Sequence, residues 1–184
     1  MRAVIGLVLA LGLAACAAGG VQQVAVLNGA VKVRAPAHYC VDIPSARSAA
    51  DTASVLIGRC TSGGEVAAAL VTVTVGRAAS GGVMLAETAT LRAFMASQAG
   101  RRALARSGRA EDVVVLESGV VEGRLLLHLK DRLAGDYWRA VVAIKGRLVT
   151  VSALGAEGAP LRPGDGRRLV DRTVDALVAA NSGT

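Results

Sequence analysis

Two histidines, three cysteines and a run of arginines are the residues of this 184-residue chain whose chemistry reaches beyond packing. A histidine serves as a base or a metal ligand only when a second group orients or joins it. His38 and His128 are the only two, and neither has a carboxylate beside it in sequence. Alternation puts His128 on one strand face with Arg124, Leu126 and Lys130, opposite Leu125, Leu127 and Leu129, which reads as a partly exposed surface histidine. His38 reads as a loop residue. No serine lies in Gly-x-Ser-x-Gly or Ser-x-x-Lys, so a serine hydrolase has no motif support. The metalloprotease, P-loop and dinucleotide patterns are missing as well, and Gly63-Gly64 and Gly81-Gly82 read as loops. Acidic residues are dispersed, which leaves no carboxylate pair to propose for glycoside hydrolysis. The expectation is a chain that is not an enzyme, with no catalytic residue, metal or cofactor.

The first cysteine has a different setting from the other two. Arg2 is followed by the apolar run Val4 to Leu13 and then by Ala14-Ala15-Cys16, the layout of a signal peptide. The apolar core is about ten to twelve residues, short of the roughly twenty that a membrane-spanning helix needs. Leu13-Ala14-Ala15-Cys16 resembles the bacterial lipobox, in which the cysteine thiol receives a diacylglyceryl group and the chain is cut on its N-terminal side. The resemblance implies a signal peptide over 1–15, lipidation at Cys16, and a protein anchored in the cell envelope facing the periplasm. Several acyl chains on one cysteine hold far more durably than one. Ala17 stands where enteric bacteria place the aspartate that retains a lipoprotein in the inner membrane, which favours the outer membrane.

Export places Cys40 and Cys60 where disulfides form and persist. They allow one pairing, and closing a loop of about twenty residues stabilises a fold by roughly 3 kcal/mol on the chain-entropy model. A zinc site would need more ligands than His38, the only neighbour of the right type, so a structural disulfide is predicted.

Loss of Arg2 with the signal lowers the formal charge from +7 to +6. Arginine dominates, since Lys32, Lys130 and Lys145 are the only lysines, and the bias follows that of a GC-rich genome. Only Tyr39, Phe94, Tyr137 and Trp138 are aromatic, too few for a platform that stacks bases or sugars, so no nucleic-acid partner is expected. The one concentration of charge is Arg101, Arg102, Arg106 and Arg109. These arginines complement the negative end of a helix. They also suit contact with anionic lipid headgroups, and both readings remain open.

The elements that must position these groups follow from periodicity. Residues 16–23 are small, polar and aperiodic and read as a lipidated tether, leaving 24–184 as a single domain. Val24 to Arg34 reads as a hairpin on a type I′ turn at Asn28-Gly29. Ser45 to Asp51 reads as a helical turn, Ser54–Cys60 and Ala67–Val75 as strands, and Thr61 to Gly64 as the loop between them. A helix is predicted from Leu85 to roughly Ser107, followed by strands at Asp112–Ser118, Glu122–Lys130, Asp136–Ile144 and Arg147–Leu154. A final helix, Gly166 to Ala180, takes Asp165 as N-cap, buries Leu169, Val170, Thr173, Val174 and Leu177, and pairs Arg167 with Asp171 and Arg172 with Asp175.

The predicted class is therefore α+β, a mostly antiparallel sheet with a long central helix and a C-terminal helix packed on it in two layers. This order of elements resembles the PsbP-like fold of small secreted lipoproteins. Ala37-His38-Tyr39-Cys40-Val41-Asp42 and Gly146 to Ser152 look like segments of uncharacterised alphaproteobacterial lipoproteins. Neither resemblance implies an activity. The expected role is a non-enzymatic envelope module that binds a partner protein or maintains the envelope; the alternative is a module that binds lipid or a small ligand.

Overall fold

The structure, a computed structural model, describes residues 20–60 and 66–183. Cys16, the signal and the loop expected at 61–64 lie outside the described residues. Among the described residues, nine strands and three α-helices follow one another. Strands β1 (Gln23–Val26) and β2 (Val31–Arg34) form a separate hairpin. Asn28 and Gly29 both take the left-handed conformation expected of them, but so does Leu27 (φ 54°), and the connection has four residues, not two.

The remaining strands are β3 (Tyr39–Ala49), β4 (Thr52–Arg59), β5 (Ala69–Val75), β6 (Val113–Val121), β7 (Arg124–Asp131), β8 (Gly135–Ile144) and β9 (Arg147–Gly155). They form one antiparallel sheet in the order β3-β4-β5-β9-β8-β7-β6. The segment 45–51, expected to be a helical turn, is instead the end of β3. Arg47, Ser48 and Ala49 pair with Ser54, Ala53 and Thr52 after a bulge that begins beyond Asp42. Pro44 is tolerated within it because β3 is an edge strand, where a missing N–H leaves no neighbour unpaired.

Between β5 and β6 the chain makes α1 (Thr88–Ala96) and α2 (Gln98–Leu104), not one long helix from 85 to 107. Ser97 causes the break. It leaves the helical region at ψ 166°, and its Oγ accepts the N–H of Gly100 at 3.1 Å, capping α2. The turn between the helices is so close that a Cβ at residue 100 would lie 2.0 Å from the Phe94 carbonyl oxygen.

The last helix, α3 (Pro163–Asn181), buries Leu169, Val170, Thr173, Val174 and Leu177 as periodicity predicted. It begins earlier than expected because proline is accepted in a first turn. Asp165 is consequently not the cap: it sits inside that turn and pairs with Arg162 and Arg168 at 2.9 and 2.6 Å. Arg167 meets Asp171 as predicted, whereas Asp175 meets Arg124 at 2.8 Å in place of Arg172.

The two-layer expectation gives way to helices on both faces, and β7 shows why. Leu126 joins a core beneath α3 and the hairpin, with Val55, Val73, Val151 and Leu177, all fully buried. Leu125, Leu127 and Leu129 join a second core on the other face with Leu104 and Tyr137. A strand apolar on both sides needs cover on both sides. The second cover stops short. On β5, Val71, Val73 and Val75 are fully buried under the first layer, while Leu70, Thr72 and Thr74 on the opposite face are half-exposed or exposed.

Candidate ligand-binding groove

The cysteines come together as predicted. Cys40 and Cys60 form a disulfide with Cα atoms 4.8 Å apart. The N-terminal residues pack directly on it: a Cβ at Gly20 would fall 2.6 Å from the Cys40 sulfur, and Gln22 donates to the Tyr39 carbonyl at 2.9 Å. Val21 accepts the N–H of Val41 at 2.7 Å and Gln22 that of Ala35 at 2.8 Å. Residues 21–23, assigned to the tether from sequence, are thus part of the fold. Gly20 is four residue steps from Cys16, at most about 14 Å of extended chain.

Neither histidine makes a hydrogen bond to a carboxylate or hydroxyl among the described residues, although Glu117 stands opposite His128 in the strand register. His38 is exposed in a loop at φ 70°. His128 stacks on Trp138 at 4.8 Å and 5° between planes, Arg167 covers the other ring system at 4.9 Å, and among the described residues His128 Nε2 has no partner. Among those residues no three His, Cys, Asp or Glu converge on a metal position, and no helix is long and apolar enough to cross a membrane.

The four arginines divide. Arg109 is engaged with Asp112, a buried carboxylate that also accepts Ser107 Oγ at 2.6 Å and meets Arg132 at 2.8 Å. The Arg109 bond, then the Ser107 bond, hold the Asp112 carboxyl far below its ordinary range against the opposing effect of burial. Arg101, Arg102 and Arg106 have no carboxylate partner among the described residues; Arg102 and Arg106 are exposed, while Arg101 is half-buried and donates to the Ala96 carbonyl. Nearby Asp131 is buried and accepts the backbone N–H of Arg106, Leu133 and Ala134 at 2.9, 2.7 and 3.0 Å. Burial raises its carboxyl, but those three bonds outweigh it and the net shift is downward.

Strand register puts these features at one end of the sheet. The starts of β3, β5, β6 and β8 and the ends of β4, β7 and β9 share that end. It carries the disulfide with the incoming N-terminal chain, and the Asp131–Gly135 turn with Leu133, 60 % exposed.

Sequence reasoning did not single out a groove on the sheet. A groove of about 570 Å³ lies between the end of α2 and the uncovered face of β4, β5 and β9. Its floor is Thr72, Thr74, Thr150 and Ser152, its apolar sides are Leu56, Leu70, Leu104 and Leu154, and Arg106 and Arg139 are its charges. The Arg139 Nε–H donates to Ser152 Oγ at 2.9 Å, and its guanidinium carbon lies 5.4 Å from the Tyr137 ring centre. Burial pushes the Tyr137 hydroxyl above its ordinary value, against the pull of Arg139. The signal was present in β5 and β9, where fully buried valines alternate with Leu-Thr-Thr and Thr-Ser-Leu on the other side. What alternation does not reveal is that, among the described residues, the helices cover that second side only in part. Comparison of the chain with protein-family models, with curated proteins and with solved structures finds no match.

Proposed function

We propose that the chain is a lipid-anchored envelope lipoprotein, held at Cys16 and facing the periplasm, with the outer membrane favoured. Its domain acts by binding, without catalysis, and takes a lipid-like or other small ligand. The groove carries this reading: its volume falls in the range of small-molecule sites, about 300–1,000 Å³, and apolar sides with a few convergent polar groups are the usual lining of such sites. The lipobox residues support the anchor. The short path from Cys16 to Gly20 would keep the groove's end of the sheet, where α2 and the Asp131–Gly135 turn lie, close to a membrane. Arg101, Arg102 and Arg106 would meet anionic headgroups there. The order of elements supports a PsbP-like plan, and the division of the central helix at Ser97 departs from it.

A second reading, docking of an envelope protein, has its own support in β6. This strand is a free edge with Val114 and Leu116 exposed at 53 % and 47 %, and exposed edges accept strands from partners. Native mass spectrometry of the full chain extracted from its own membranes separates the two. One small-molecule mass per chain supports the ligand reading. A stoichiometric protein with an empty groove supports the other.

A further inference from the structure

We infer that the groove binds a single-chain amphiphile with an anionic headgroup, a carboxylate or a phosphate monoester, and that Arg139 is the residue that reads the charge. The inference rests on the ligand-binding reading above and adds the chemistry of the ligand.

The argument starts from the guanidinium. Ser152 takes its Nε–H and Tyr137 lies against it, and together they fix the plane of the group. Among the described residues the two terminal nitrogens have no partner, and the groove lining contains no carboxylate. A planar guanidinium held in this way presents its terminal N–H groups as a fork that matches two oxygens of a carboxylate or phosphate. Arg106 adds a second positive charge at the α2 side. Two arginines in a lining that holds no carboxylate disfavour an amine ligand. A neutral ligand that covered Arg139 would leave the charge desolvated and unpaired, which is costly.

The rest of the lining indicates what the anion is attached to. Leu56, Thr72, Ser152 and Arg139 occupy one row across four adjacent strands, three strand spacings or about 14 Å. The neighbouring row brings Leu70 opposite Leu154. A ligand headed at Arg139 therefore runs along hydroxyls and then between leucines, as an acyl or alkyl chain does. A sugar or base would want an open aromatic face, and the groove's one aromatic, Tyr137, is covered by Arg139. A volume of about 570 Å³ suits one chain better than two. The floor is rigid, because Val71, Val73, Val149 and Val151 beneath it are fully buried.

The test uses the lipidated full chain in phosphatidylcholine nanodiscs, with empty discs subtracted. Equilibrium binding is measured for dodecanoate, dodecyl phosphate, dodecanol and inorganic phosphate. Both anionic amphiphiles are expected to saturate at one per chain, with dodecanol and inorganic phosphate at least tenfold weaker. Arg139→Gln should weaken both anions at least tenfold and leave dodecanol unchanged. Thr72→Trp, which fills the groove, should abolish all binding; if its thermal melt shows it unfolded, Leu70→Trp at the exposed margin takes its place. Dodecanol binding as well as the anions, indifferent to Arg139→Gln but lost in the filled variant, would overturn the anionic class and leave the ligand-binding reading standing. Inorganic phosphate binding as tightly as dodecyl phosphate would overturn the amphiphile. Absence of saturable binding by any probe, or binding that survives the filled groove, would overturn both.

Discussion

Asp131 shows how much a single buried carboxylate organises. Its three accepted N–H bonds tie the end of α2 to the turn between β7 and β8, and so fix one side of the groove. Asp131→Asn turns an NH2 group toward the Arg106 N–H and should cost about 1–3 kcal/mol, the penalty of a buried donor left without an acceptor. The sign of the pH effect follows from the direction of the shifts. The Asp131 and Asp112 carboxyls are lower in the folded chain than in the unfolded one, so their contribution is complete above the ordinary aspartate value of about 4. It is lost as pH falls below that value toward their folded values. Thermal melts at pH 7 and pH 3 should therefore differ less for Asp131→Asn than for the parent chain; an equal difference would show that Asp131 titrates alike folded and unfolded. Cys16 is the other residue on which the reading depends. Cys16→Ser should abolish acyl labelling and lipoprotein-specific cleavage, leaving precursor identifiable by its larger size. An unmodified residue at the native mature N-terminus would remove the basis for the anchor.

At the scale of elements, the break between α1 and α2 is the feature that shapes the groove, since the end of α2 forms its wall. Gly100→Ala would set a Cβ against the Phe94 carbonyl oxygen and should destabilise the domain by about 1–3 kcal/mol, the range for an overpacked site. If the two helices instead tolerated alanine by merging, helical content would rise without loss in the melting temperature, and circular dichroism would distinguish these outcomes. This element was legible only in part. Residues 85–107 have helical composition, but Ser97 leaves the helix because its hydroxyl caps the next one, a choice made in tertiary context. The strands were read closely because alternating valines report one buried face, as in β5. The 45–51 segment was misread since an edge strand with a bulge loses that alternation. The disulfide was legible from two domain cysteines with one possible pairing, read together with an expected export. Arg139 was not, because a lone arginine in a strand acquires meaning only when Ser152 from the next strand and an uncovered face meet it.

For the whole molecule, the arrangement of charge at the disulfide end predicts a division of labour among the arginines. In an unlipidated chain that begins at Ala17, replacing Arg101, Arg102 and Arg106 together by Gln should weaken co-sedimentation with anionic vesicles at low salt by about 1 kcal/mol per residue. Arg109→Gln should leave vesicle binding nearly unchanged and lower the melting temperature, since Arg109 is engaged with Asp112. Vesicle binding that depends on Arg109 as strongly as on the other three would contradict this assignment. The opposite end of the molecule is closed in another way. Asn181 accepts the Lys32 N–H at 3.0 Å and donates to the Lys32 carbonyl at 2.7 Å, across 149 residues of sequence. Both partners sit over the core that α3 covers, where Val31, Val33 and Leu177 are fully buried. A chain emerging N-terminus first consequently has no lid for that apolar surface until α3 has been released. Its folding is deferred by topology, of the kind that makes non-local pairings slow.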